Sequence, residues 1–302
     1  MPRVQALSPG NLRDALGMLL AGCEETRVAP DWQIESFQRY MATGVESWQG
    51  WEVGRGAERV GLALALHIPG RVGVVMIPQP GRFGMTAEGI RSALENGLSD
   101  LQAERLHYAN AIIEPHALAK RGVLESCGFR EITQLIYLER SLAAKATVEA
   151  PIPLRWRGFS TDCQPLFEEA LRQTYIDSAD CPELTNLRPM ADVIAAHKAS
   201  GPFDAALWEV ATHGREAVGC VLVSRLEPAG LCELTYVGVS PAYRGRGLGA
   251  TLVARAIELA RETKARTLTL AVDHRNATAR RLYDRFQFRR LSERDTFLFT
   301  WA

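Results

Sequence analysis

The run Val239-Ser240-Pro241-Ala242-Tyr243-Arg244-Gly245-Arg246-Gly247-Leu248-Gly249-Ala250 constrains this chain more than any other stretch. It stands where an apolar strand pattern, Leu231 to Val239, passes into a helical one, Leu248 to Thr263. A helix that opens directly out of a strand leaves its first N–H groups unpaired. It aims them, with the positive end of its dipole, at one place. Glycines at 245, 247 and 249 let a backbone approach an anion with no Cβ in the way, and Arg244 and Arg246 add positive charge. The stretch therefore predicts an anion-binding strand–turn–helix, with Leu248 and Ala250 in its first helical turn.

Composition sets the frame. A chain of 302 residues is long enough for two ordinary domains. Lys+Arg and Asp+Glu both total 35, and this zero balance argues against a nucleic-acid partner. No apolar run approaches the roughly 20 residues of a membrane span. Leu20-Ala21-Gly22-Cys23 is similar to a lipoprotein cleavage box, but Arg13 and Asp14 interrupt the stretch before it, which reads better as an amphipathic helix. The six cysteines show no C-x-x-C pair and no metal-ligand spacing. A reducing cytoplasm and no metal are expected. Walker A, G-x-S-x-G and H-x-x-x-D patterns are all missing from the sequence.

Periodicity divides the chain into two halves. Residues 141–153 (SLAAKATVEAPIP) break the pattern and are the expected linker between domains at 1–140 and 154–302. Beyond it, strand signals fall at 154–157, 207–212, 217–226, 231–239 and 268–272. Helical ones fall at 166–175, 190–197, 248–263 and 277–286, and a strand pair at 288–291 and 296–301 closes the chain. The first half repeats this order: strands at 4–7, 51–54, 60–67, 72–77, 108–113 and 131–138, helices at 12–21, 34–41, 87–101 and 118–127. Leu124-Glu125-Ser126-Cys127-Gly128-Phe129-Arg130 even rhymes with Tyr283-Asp284-Arg285-Phe286-Gln287-Phe288-Arg289, as an old duplication would leave it. Chance likeness between two α/β domains is the alternative.

Arg244-Gly245-Arg246-Gly247-Leu248-Gly249 resembles the Gln/Arg-x-x-Gly-x-Gly/Ala signature of the GNAT superfamily, the acyl-CoA-dependent N-acetyltransferases. Tyr236-Val237-Gly238-Val239-Ser240-Pro241 looks like the family's preceding strand, and Asn276 to Tyr283 followed by Phe286-Gln287-Phe288 like its last helix. Gln287 stands where the family usually has glycine. The resemblance is strongest over about residues 205–300, and the tandem layout is similar to that of the mycothiol synthases. It implies an α/β (α+β) fold: two tandem GNAT-like domains, each a mixed, mostly antiparallel sheet flanked by helices. Aligning Pro78 with Pro241 sets Gly84 against Gly247, Gly81 against Arg244, Thr86 against Gly249 and Gly70 against Glu233. The local rhyme sets Leu124 against Tyr283. The first domain is therefore expected to be degenerate and non-catalytic.

The resemblance also implies roles. Glu233 would be the general base and Tyr283 the acid that protonates the departing thiolate. By strand alternation Glu233 shares a face with Thr235, Val237 and Val239. A structural ion pair would equally place a carboxylate there, and a core aromatic would equally place Tyr283. Acetyl-CoA would be held by Val237, Gly238, Val239, Arg244, Gly245, Arg246, Gly247, Leu248, Gly249, Ala250, Asn276 and Ala279. N–H groups near Val239 and Ser240 would serve the thioester and the pantetheine amides. Asn276 would meet the pantetheine arm or cap the last helix. The acceptor would lie near Tyr175, Asp177, Asp180 and Glu183, whose acidity suits a cationic amine, although a solvated loop reads the same way. The expected activity is transfer of an acetyl group from acetyl-CoA to a small-molecule primary amine by direct attack through a tetrahedral intermediate. The chain would act in the cytoplasm as a monomer, internally a pseudo-dimer, or as a homodimer. A protein or peptide acceptor, and a non-catalytic acyl-CoA-binding regulatory module, are the alternatives.

Overall fold

The structure is a computed structural model that describes residues 3–56, 58–226 and 230–301. Contacts divide the chain into two units, residues 1–134 with 293–302, and residues 135–292. In the first unit the order is β1 (Arg3–Ala6), α1 (Leu12–Leu19), α2 (Asp31–Gly44), β2 (Ser47–Arg55), β3 (Glu58–Ile68), β4 (Val72–Met76), α3 (Ala87–Ala103), β5 (Tyr108–Ile113) and α4 (Leu118–Ser126). Next in the chain come β6 (Arg130–Ser141), β7 (Arg155–Gly158), α5 (Gln164–Tyr175), α6 (Met190–Lys198), β8 (Trp208–His213), β9 (Glu216–Leu226), β10 (Leu231–Val239), α7 (Leu248–Glu262), β11 (Thr267–Asp273), α8 (Ala277–Arg285) and β12 (Arg289–Phe299).

Each unit has the same mixed sheet. In the first, β1 to β4 pair antiparallel in succession and β4 pairs parallel with β5. In the second, β7 to β10 do the same and β10 pairs parallel with β11. The last strand of each repeat is exchanged. Leu135–Ser141 of β6 runs antiparallel along β11 of the second unit, and Asp295–Phe299 of β12 runs along β5 of the first. Side chains follow the exchange: Ile136 and Leu138 lie in the core with α7, and Phe297 lies in the core with α3. Hydrophobic alternation specifies that 131–138 is a strand. It carries no information about which edge that strand joins.

Two local expectations change as well. The stretch read as a linker keeps Ser141 in β6, and only residues 142–153 lie outside helices and strands. The pair of strands expected at the C-terminus is one continuous strand, β12. Its polar middle survives inside a sheet because Asp295, 2% exposed, accepts Arg121 Nη2 at 2.5 Å and Gln134 Nε2 at 3.0 Å.

Candidate active site

β10 ends at Val239, one short turn covers residues 241–243, and α7 begins at Leu248. Gly245 and Gly247 hold φ of 75° and 87°, a region costly for residues with a Cβ. Gly247 is the N-cap of α7 and brings no side chain to it. Among the described residues, no backbone carbonyl takes an N–H from Gly245 through Gly249, so the helix start keeps its donors. Gly245, Gly247, Gly249 and Ala250 line a cleft of about 850 Å³. Leu248 is 1% exposed and packs in the core, which leaves it only main-chain groups to offer.

Arg244 is used differently from the expectation. Its guanidinium spans from Val239 O (Nε, 3.0 Å) to Asp177 O (Nη1, 3.1 Å), Thr174 O (Nη2, 3.0 Å) and Ile176 O (Nη2, 2.7 Å). It thus clamps the C-terminal end of α5, whose carbonyls have no helical partners, to the end of β10. Arg246 is exposed, lies over the Tyr243 ring at 5.5 Å, and among the described residues holds no carbonyl.

The cleft continues between two strands. β10 and β11 pair only over Leu231–Glu233 with Thr267–Thr269, and then part. Tyr236, Val237, Gly238 and Val239 line one side, and Val272, Asn276, Ala279 and Tyr283 the other. A bulge sits at the fork: Leu234 pairs Val223, but Tyr236 pairs Leu222, leaving Thr235 extra, its Oγ1 donating to Leu222 O at 3.0 Å. The expected face of Glu233 therefore changes. Beyond the bulge the alternation slips by one, so Tyr236 and Gly238, which meet Thr174 of α5, follow Glu233 in place of Val237 and Val239. Gly238 is required by that approach, since a Cβ there would lie 2.6 Å from the Thr174 Cβ. Ser240 is not a donor to the slot: its N–H goes to Val218 O and its Oγ to Ala217 O, both at 2.9 Å. Alternation along β10 then turns the main-chain groups of Val237 and Val239 toward the parted side.

Glu233 stands on the last paired position before the fork, half-buried and with no charged partner among the described residues. Burial alone pushes its carboxyl up to about 7. Tyr283, 6% exposed, projects from α8 into the cleft, and its phenol is held well above its ordinary range by burial and then by the charge of Asp180. Asn276 caps α8 by accepting Ala279 N–H at 3.1 Å.

The loop after α5 divides the expected acceptor residues. Asp180 accepts Asp273 N–H at 2.8 Å and lines the cleft, as does Asp177. Glu183 is held by Arg275 at 2.7 and 2.9 Å, and Arg275 also binds the fully buried Asp273. Tyr175 turns its hydroxyl to His197 Nε2 at 3.2 Å. These contacts latch the loop to the end of β11. Residue reading missed Thr174, Tyr236 and His197, which pack together under the slot; burial and Arg188 push the His197 imidazole down to about 4. Their partners lie far away in sequence, so no local pattern marks them. Among the described residues no three His, Cys, Asp or Glu side chains gather as a metal site, and no helix is long and apolar enough to cross a membrane.

The site is thus an antiparallel sheet that turns parallel, opens at that point, and meets an uncapped helix start. Residues 167–288 match the acetyltransferase (GNAT) family, and this part of the chain is a GNAT acetyltransferase domain. A GCN5-related N-acetyltransferase from Sphaerobacter thermophilus superposes with a TM-score of 0.67 at 18% identity, covering 99% of this chain and 95% of that one. A tandem GNAT protein from the clavulanic acid biosynthesis pathway does so with a TM-score of 0.59 at 15% identity, over 99% and 98%. At such identities the likeness is one of fold. A Bacillus subtilis (strain 168) protein assigned as a ribosomal protein bS18-alanine N-acetyltransferase is 43% identical over 54 residues, which are 18% of this chain and 36% of that relative.

Proposed function

We propose that the second unit transfers an acetyl group from acetyl-CoA to the primary amine of a small molecule. The observation that carries this reading is Glu233, an unpaired carboxyl raised to about 7 at the fork of β10 and β11. The cleft suits the donor: uncapped N–H groups at residues 245–249 for phosphate oxygens, and the main-chain groups of Val237 with the N–H of Val239, whose carbonyl Arg244 holds, along the slot for amides. Acetyl-CoA supplies a thioester carbonyl. Val237 and Val239 offer N–H groups to that carbonyl. Glu233 accepts the proton of the attacking amine, and Tyr283, kept protonated by burial, donates one to the departing sulfur. Gly247, Gly249, Ala250, Asn276 and Ala279 shape the donor's path. Arg244 acts through the clamp on α5, and Asp177 and Asp180 face the cleft toward the acceptor.

The first unit is read as non-catalytic. The pairing register places Val74 opposite Glu233, since Val74 meets Asn110 as Glu233 meets Thr269. Leu124 stands for Tyr283. A protein acceptor is the second reading, favoured by the ribosomal-protein acceptor assigned to the Bacillus relative. Thiol release measured with acetyl-CoA over a panel of small amines and of N-terminal peptides decides between them. Release with small amines, lost in Glu233→Gln, is the expected result. Release with peptides alone supports the second reading, and tight CoA binding with no release on any acceptor overturns both in favour of a binding module.

A further inference from the structure

The exchanged strand β6 brings one residue of the first half to the proposed acetyl-transfer site. Thr269 on β11 is in register with Glu233 on one side and with Glu139 of β6 on the other. Residues in lateral register point to the same face of a sheet. The opposite face is fixed by its neighbours: Cys232 Sγ lies 3.4 Å from Thr263 Oγ1 at the end of α7, and Arg140 Nη1 donates to Phe286 O at the end of α8 at 2.6 Å. Glu139, Thr269 and Glu233 therefore share the face turned toward α5. All three are partly exposed, whereas Leu138, Leu268 and Leu270 behind them are buried in the core. Neither glutamate has a cationic partner among the described residues, and Glu233 is costly to keep in that state without a ligand.

The first unit offers an internal control. There the corresponding lateral row is Val74, Asn110 and Leu298, each 159 residues from its counterpart, as 74 is from 233. Both carboxylates are replaced by apolar side chains in the unit that also lacks the tyrosine of α8. The second carboxylate accompanies the first.

We infer that Glu139 binds a second positive charge on the acceptor, so that the preferred substrate is a small amine with a cationic group at its far end. This rests on the N-acetyltransferase reading above. Two strand spacings separate the Glu139 and Glu233 backbones, about 10 Å, which an extended diamine spans. Glu139 takes no part in proton transfer. It anchors the non-reacting end.

The test compares unbranched diamines of increasing length with the matching monoamines, using the full chain and acetyl-CoA. Glu139→Gln should raise KM for the diamines about tenfold or more while leaving the monoamine kcat/KM and the acetyl-CoA KM within about twofold. Glu139→Asp should restore part of the loss, and Glu139→Lys should shift preference toward ω-amino carboxylates. Equal changes for diamines and monoamines, or none for either, overturn the assignment of Glu139 and leave the acetyl-transfer reading standing. No transfer by the unaltered chain to any amine overturns both.

Discussion

Helices α3 and α7 follow the same inner strand in the two units, yet their first turns are finished in opposite ways. In α3 the N-cap is Thr86, whose Oγ1 accepts Gly89 N–H at 3.0 Å while its own N–H bonds Val60 O at 2.8 Å. In α7 the N-cap is Gly247, with no side chain, and the donors stay open toward the cleft. Counted from these caps, Thr86 stands opposite Gly247 and Gly84 opposite Gly245. The expected pairings of Gly84 with Gly247 and Thr86 with Gly249 shift by two, because the segment joining β4 to α3 is two residues longer than its counterpart. One helix start satisfies itself and the other is left to a ligand. On the proposed reading, a threonine cap gives stability at the position where a glycine gives binding.

The comparison is broken most severely at Glu233. Replacing it by Gln should lower kcat about 100-fold, the scale of a lost general base. In the unaltered chain kcat/KM should climb as pH rises through about 7, where the carboxyl loses its proton, and this inflection should vanish in the variant. Stability moves the other way. With the folded value raised from 4.5 to about 7, the folded chain holds a proton the unfolded chain releases, so stability falls as pH rises across that window. Denaturant titrations of both proteins across the window test this, and parallel profiles would remove the shift.

A smaller contrast separates the two caps. Gly247→Ala should raise the KM for acetyl-CoA about tenfold, since a φ of 87° carries a strain of about 1–2 kcal/mol with a Cβ and the turn will relax away from its anion-binding shape. Thr86→Ala should cost about 1 kcal/mol of stability and leave that KM alone. If Thr86→Ala moves the KM as well, the first unit takes part in donor binding.

The smallest effect concerns the C-terminal ends of α4 and α8, which are closed by the same bonds. Phe129 N–H meets Leu124 O at 3.1 Å, and Phe288 N–H meets Tyr283 O at 3.1 Å. The residue between is Gly128 at φ 90° in one and Gln287 at φ 61° in the other. Gln287→Gly should stabilise by up to about 1 kcal/mol, and Gly128→Ala should destabilise by at least that amount. Opposite shifts in thermal midpoint are the outcome to look for.

Much of the fold was legible in the residues. The strand signal at 231–239 and the helix signals beginning at 248 and 277 coincide with β10, α7 and α8, because each is set by side chains within a few positions. The polar run Ser292-Glu293-Arg294-Asp295 misled, since Asp295 is buried by Arg121 and Gln134, which lie more than 150 residues away. Arg244 misled for a similar reason. Its charge pointed to an anion, but the carbonyls that α5 leaves unpaired at its end lie within reach and take the guanidinium first.

The sequence by itself determined the glycine turn between strand and helix, the repeat of elements in each half, and the presence of Glu233 and Tyr283 in the second repeat alone. These follow from local periodicity and from which residues tolerate a left-handed backbone. Only the tertiary structure decided that the closing strands are exchanged, that a bulge at Thr235 turns Glu233 to the face of Tyr236, and that Glu139 joins it. Strand pairing and register join residues far apart in the chain. Their choice depends on which exposed edges and core faces meet when the chain collapses, and a period of two along one strand says nothing of its neighbour.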